Sequence, residues 1–287
     1  MTSPLNYKLF VTEQIPQSSR GPLPDGRTRM WSHITATLIL GSHDAVLVDP
    51  PLTDAQAADV GDWIESSGRR LRQIYITHGH GDHWFGAIPL AQRFPGVAVR
   101  ATEGTTAHMA GQNTAEFRAN FWDKVFPGQL PSGDVDVEVV DEHGFELEGV
   151  ALRPIEVGHT DTHATTMLRV PEIGLLVAGD VVYNGVHLYL AESGGIGGIN
   201  DWLAALDVAE ALRPVAVVAG HKNPGAFDNP SQIQATRQYL TDARDLLESS
   251  ASAQEFYDRM LALHPHRLNP GVLWGSAITL FPEPSRR

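Results

Sequence analysis

The 287-residue sequence contains no cysteine. That single absence removes a disulfide framework, thiolate zinc sites, iron–sulfur clusters and a thiol nucleophile together. Apolar residues never run for the ~18 positions that a membrane-spanning helix needs, so no membrane partner is expected. Basic residues are scarce beside acidic ones, 21 Lys and Arg against 34 Asp and Glu, for a formal net charge of −13. No Lys/Arg cluster interrupts that balance, which argues against a nucleic-acid partner. The stretch Met1 to Lys8 carries neither the basic nor the apolar segment of a secretory leader, and a cytoplasmic location is expected. A Gly-x-Ser-x-Gly elbow is missing too, so no serine nucleophile is signalled.

What is present is the composition of a globular protein, 42% hydrophobic and 19% charged, in a chain long enough to bury a full core. Short β-branched runs of strand length recur at Thr35–Leu40, Ala45–Val48, Gln73–Thr77, Val97–Arg100, Val135–Val140, Val150–Val157, Thr166–Val170, Leu175–Ala178 and Val215–Ala219. Asp54–Ser67, His83–Arg93, Gly104–Phe121 and Asn200–Leu212 carry helical spacing. Many strands follow one another directly, which favours hairpin-rich α/β sheets with helices packed outside over a strictly alternating doubly wound sheet. Beyond Pro230 the pattern turns helical, at Ser231–Ser249 and Ala253–Leu263, with a third apolar stretch at Val272–Phe281. The expected organisation is a main unit over 1–229 and a C-terminal helical extension over 230–287. The extension packs on the main unit, where it covers a site or supplies a homodimer contact.

The strongest local signal is Thr77-His78-Gly79-His80-Gly81-Asp82-His83, directly after the apolar run Gln73–Ile76. Residues two apart in an extended segment project to one side, so His78 and His80 can reach one ion. The glycines between them are expected to lend backbone angles that wrap the loop tightly. Asp82 and His83 stand at the next helix start, turned toward a second position. Four ligands from six residues exceed what one tetrahedral ion with an open position can use, and the spacing suggests two metals. His159, Asp180 and His221 each follow an apolar strand, where a rigid sheet edge would hold a ligand accurately.

The ordered set His78-x-His80-x-Asp82-His83, then His159, Asp180 and His221, resembles the metallo-β-lactamase superfamily of dinuclear metallo-hydrolases over roughly residues 30 to 225. The resemblance implies a four-layer αββα sandwich with two Zn²⁺ ions in a cleft at the sheet edges. His78, His80 and His159 would bind one ion, Asp82, His83 and His221 the other, and Asp180 would bridge them. Iron or manganese also suits such imidazole and carboxylate ligands. Asp49 matches an early family Asp that orients a ligand from behind. Tyr183 is similar in placement to a tyrosine that contacts substrate in the family's lactonases, and His187 is a further candidate to line the substrate pocket.

Asp180 shifts the resemblance toward the lactonase and thioesterase branches and away from β-lactamases, which generally lack it. The implied reaction is cleavage of a carboxyl ester, lactone or thioester of a small molecule through a metal-bridging hydroxide, with Asp82, Asp180 and Tyr183 as the catalytic side chains. A β-lactamase-type amide hydrolase and a mononuclear iron sulfur-dioxygenase on the same fold are the alternatives. Trp84 and Phe85 read as core anchors of the following helix, and His33 and His108 as ordinary packing or surface residues.

Overall fold

A computed structural model describes residues 5–282; the outermost residues of both expected units, 1–4 and 283–287, lie outside them. The described strands form two sheets. The first runs in the order β1 (Asn6–Val11), β2 (Thr35–Leu40), β3 (Asp44–Val48), β4 (Arg70–Tyr75), β5 (Ala98–Ala101) and β6 (Val137–Val139). The second runs β11 (Ala216–Lys222), β10 (Leu175–Asn184), β9 (Thr165–Val170), β8 (Val150–Gly158) and β7 (Phe145–Leu147). β1, β2 and β3 pair antiparallel and β3 to β6 parallel, while β11 joins an otherwise antiparallel second sheet in parallel.

The two-residue period of strands divides the apolar side chains among three cores. Ile39, Val46 and Val48 of the first sheet meet Leu168, Leu175, Val177 and Val218 of the second, filling the space between the sheets. The alternate residues Leu38, Ala45 and Leu47 face outward onto helices α1 (Asp54–Ser66) and α2 (Ala87–Arg93). On the other side, Leu176, Ala178, Val217 and Ala219 face α6 (Gly195–Ala211), α7 (Ser231–Ser249), α8 (Ala253–Leu263) and α9 (Pro270–Leu280). Three cores between four layers make the αββα sandwich. α1 starts where the sequence signals it, with Thr53 and Gln56 forming a reciprocal capping box.

α7, α8 and α9 contribute Tyr239, Leu240, Phe256, Met260, Leu273 and Ala277 to the same core as β10 and α6, so the extension shares its apolar interior with the sandwich. Elsewhere the boundaries moved. β1 and β7 carry no clear sequence signal, because β1 is a half-exposed edge and β7 spans three residues. The Gly104–Phe121 helix is broken: α3 (Glu103–Gln112) ends, and α4 (Ala115–Phe117) and α5 (Asp123–Val125) flank a π-helical turn over Arg118–Trp122. His83–Arg93 is a 3₁₀ turn, Gly81–His83, followed by α2, with Trp84 and Phe85 buried between them.

Candidate metal centre

The strand β4 ends at Tyr75, and the chain beyond it runs against the second sheet, where the Thr166 amide of β9 donates to the Thr77 carbonyl at 2.9 Å. Each of His78, His80, Asp82, His83, Asp180 and His221 is at least nine-tenths buried. Asp180 and His221 lie inside β10 and β11 rather than past their ends. Those two strands pair in parallel but lose register around Gly179, whose φ of 50° lets the chain bulge and turn Asp180 toward the histidines. Gly220 is the matching requirement on β11, since a Cβ there would lie 2.2 Å from Asp180 Oδ1.

The ligand atoms fall into two groups, Asp82, His83 and His221 in one and His78, His80 and Asp161 in the other. His83 Nε2 and His221 Nε2 are 3.3 Å apart, and Asp82 Oδ2 lies 3.9 and 3.5 Å from them. Asp180 approaches both, with Oδ1 3.4 Å from His83 Nε2 and Oδ2 3.3 Å from His221 Nε2. On the other side His80 Nδ1 and His78 Nε2 converge on a carboxylate oxygen at 3.0 and 3.9 Å. That oxygen belongs to Asp161, not to His159.

The structure thus brings Asp161, rather than the expected His159, beside His78 and His80, while His159 Nε2 is buried without a hydrogen-bond partner. β8 ends at Gly158 with φ 80°, and the turn that follows buries Asp161 beside His78 and His80, its Oδ1 held by the Thr160 hydroxyl at 2.9 Å. His159 faces instead the first turn of α6, where its ring would crowd a Cβ at Gly198. Gly79 and Gly81 also act differently from expectation. Neither has a positive φ; they make room, because a Cβ at Gly79 would lie 2.5 Å from the His108 ring and one at Gly81 2.8 Å from Phe85.

His78, His80 and His221 have the far nitrogen hydrogen-bonded, while His83 Nδ1 has only a longer contact with Asp49. His78 Nδ1 meets Thr77 Oγ1 at 3.0 Å, and that hydroxyl donates to Asp49 Oδ2 at 2.7 Å. Asp49 also accepts the Thr77 amide and stands 3.4 Å from His83 Nδ1, so it fixes two histidines at once, from a φ of 55° that a non-glycine residue rarely adopts. His80 Nε2 meets Glu192 Oε2 at 3.3 Å, and His221 Nδ1 donates to the His33 carbonyl at 2.6 Å. Each contact sets the tautomer that leaves the inward nitrogen free to bind a cation. His78 Nε2, Asp161 Oδ2 and Asp180 Oδ1 are buried without any hydrogen-bond partner.

The charges agree with that arrangement. Burial works against the proton on His83, yet Asp180, Asp82 and Asp49 lift its pKa to about 10. Burial likewise opposes the carboxylate of Asp180, but His221 and His83 hold it well below the ordinary range. Burial, then the neighbouring His83, pushes His78 well below the usual imidazole value.

A cavity of about 290 Å³ opens onto this cluster and is lined by His80, Asp82, Asp180 and His221 at one end. Tyr183 and His187 both line it. The Tyr183 hydroxyl donates to Asp180 Oδ2 at 2.5 Å, so it holds the central carboxylate. Trp31 Nε1 does the same for Asp82 Oδ2 at 2.9 Å. Asp161 and Thr77 are site residues that the sequence does not single out, while Trp31 and Glu192 fall in the stretches Trp31–His33 and Tyr183–Ile199, which the sequence suggests as loops over the cleft. For Asp161 a signal exists, since it lies two residues after His159 in Gly158–His163.

A family model described as Metallo-beta-lactamase superfamily matches residues 29–221. The chain belongs to that superfamily. Among characterised superfamily relatives, Metallo-beta-lactamase type 2 of Bacteroides fragilis is 27% identical over 71% of this chain and 73% of its own length. Hydroxyacylglutathione hydrolase of Acidiphilium cryptum is 29% identical over 48% of this chain and 46% of its own. A solved metallo-beta-lactamase family protein from Thermus thermophilus superposes with a TM-score of 0.64 at 19% identity, over 95% of this chain and 91% of that one. At that identity it speaks for the superfamily fold alone. The matched segment ends at His221, so α7, α8 and α9 are outside it.

Proposed function

We propose that this chain is a dinuclear metal-dependent hydrolase of a carboxyl ester, lactone or thioester in a small molecule. The observation that carries the reading is the pair of ligand groups, with Asp180 beside His83 and His221, the outer nitrogens of His78, His80 and His221 hydrogen-bonded, and His78 Nε2, Asp161 Oδ2 and Asp180 Oδ1 buried without partners. Buried polar atoms without partners are costly, and cations between them remove that cost. His78, His80 and Asp161 would hold one ion, Asp82, His83 and His221 the other, with Asp180 between them.

When bound, a pair of divalent cations supplies hydroxide at neutral pH and Lewis acidity toward a carbonyl. The side chains do the rest. Asp49, Thr77, Glu192 and the His33 carbonyl keep the imidazoles oriented, and Trp31 and Tyr183 keep Asp82 and Asp180 from swinging out of place. The cavity admits a small acyl compound and largely excludes bulk water from the reacting end. Asp161 in place of a third imidazole adds a negative charge. It turns the first position into two histidines and a carboxylate, a donor set that suits iron or manganese as well as zinc.

The relative named as a hydroxyacylglutathione hydrolase supports a thioester among the candidates, and Asp180, through the resemblance to the lactonase and thioesterase branches, favours an ester-type bond over the amide of a β-lactam. The test is metal analysis of the purified protein with a panel of ester, lactone and thioester substrates and one chromogenic cephalosporin. Turnover of an ester-type substrate that is lost on chelation and in His80→Ala is expected. Equal turnover by His80→Ala, or a protein that takes up no transition metal, contradicts it.

A further inference from the structure

We infer that the wall of the cavity formed by Arg29 and the start of α9 is an anion subsite that binds a carboxylate carried by the substrate. The inference rests on the hydrolase reading for what happens at the other end of the cavity, but its observations are separate.

Arg29 lines the cavity at 4% exposure. Its guanidinium donates to two backbone carbonyls, Arg20 O at 3.1 Å and Gly271 O at 3.2 Å, and Nε has no acceptor. It enters no ion pair with a carboxylate among the described residues, although the chain carries 13 more acidic than basic residues. Burial, then the neighbouring Arg20 cation, lowers the Arg29 pKa to about 10. A buried guanidinium with no counter-charge is an unfavourable thing to build into a fold, and a ligand anion is the missing partner.

Three neighbours on the same cavity share the condition. Ser32 Oγ, both amide atoms of Asn269 and His187 Nε2 are buried without hydrogen-bond partners. His187 is tied at Nδ1 to the Tyr239 hydroxyl at 3.1 Å, so its ring is fixed with Nε2 toward the cavity. Asn269 takes a left-handed φ of 60° at the residue preceding α9. Gly275 on α9 makes the approach possible, because a Cβ there would lie 2.4 Å from Arg29 Nη2. The planar fork of a guanidinium matches a carboxylate in two parallel hydrogen bonds, while a hydroxyl, an amide and an imidazole beside it can serve the remaining oxygen positions. Phe117, Phe121, Trp122 and Val272 supply the apolar remainder of the lining. The substrate class that fits is a small ester, lactone or thioester with an apolar body and a free carboxylate away from the scissile bond.

The test uses metal-loaded protein and matched 4-nitrophenyl esters: the monoesters of succinate, glutarate and adipate against butanoate, pentanoate and hexanoate. At least one anionic ester should exceed its neutral match in kcat/KM by about tenfold or more, the effect of one charge-assisted contact. Arg29→Gln should bring that ratio close to one, and Arg29→Lys should restore part of it. A second readout needs no turnover: in calorimetric titration, glutarate should bind the wild type at least about tenfold more tightly than glutaramide, and Arg29→Gln should erase the difference. A ratio that Arg29→Gln leaves unchanged, or glutarate binding that survives it, overturns the subsite. Arg29-dependent glutarate binding in a protein that hydrolyses none of the six esters retains the subsite and removes the hydrolase reading instead.

Discussion

The two ends of the cavity are built on opposite rules. At the metal end the outward ring nitrogens are backed by the protein: Thr77 behind His78, Glu192 behind His80 and the His33 carbonyl behind His221 by hydrogen bonds, with Asp49 3.4 Å from His83 Nδ1. At the α9 end the polar groups themselves are left open, with Arg29, Ser32, Asn269 and His187 each holding unpartnered atoms. The first arrangement prepares a rigid electrostatic site before anything binds, which is where transition-state stabilisation comes from. The second leaves hydrogen-bonding capacity for whatever enters. Both ends draw on the segment matched by the family model, residues 29–221, which holds Arg29, Ser32 and His187 as well as the metal-end residues, but the α9 end also needs Asn269 and Gly275 from beyond it.

The sharpest way to break the contrast is at its shared carboxylate. Asp180→Asn keeps the shape and removes the charge between the two ligand groups, and metal content and turnover should both fall by more than the roughly 100-fold limit expected for outer contacts. Asp49→Asn and Thr77→Val test the outer contacts themselves. Each should weaken metal affinity by roughly 10–100-fold, read by competition against a chromogenic chelator, with little change in the fold.

Protons give the next effect. In protein stripped of metal, His83 holds its proton up to about pH 10, so a cation must displace it, and affinity should rise about tenfold per pH unit below that point for each proton released. Calorimetry in two buffers of different ionisation enthalpy counts the protons. The stability of stripped protein should move the opposite way. A folded-state pKa raised above the unfolded value of about 6.5 contributes stability below pH ~6.5 that is lost as pH climbs toward 10. Urea unfolding in the presence of chelator should therefore show a lower midpoint at pH 9.5 than at pH 6.5. Smallest is the steric test. Gly220→Ala pushes a methyl against Asp180 and should cost about 1–3 kcal/mol in stability, with Asp180 displaced and metal affinity reduced alongside.

Sequence alone went far for the parts that are local. His78 to His83 lie in one run, and the two-residue period of the strands carries Leu38 and Ile39 to different cores without any long-range information. Asp180 and His221 were legible as ligands but not as strand residues, because the bulge at Gly179 that aims Asp180 exists only when β10 and β11 pair. The sequence points to His159, and spacing alone does not bring Asp161 into view. Both follow the same strand two residues apart, and the course of the turn after Gly158 is what brings the carboxylate beside His78 and His80. Arg29 reads in sequence as one more surface charge; its burial depends on α9, some 240 residues later, closing over it.

The most direct test of the account is a count of tightly bound divalent ions per chain in the wild type, His159→Ala and Asp161→Ala. Two ions in the wild type, two in His159→Ala and a loss of one in Asp161→Ala is the predicted result. Loss in His159→Ala with Asp161→Ala unaffected, or no bound ion in the wild type, would contradict it.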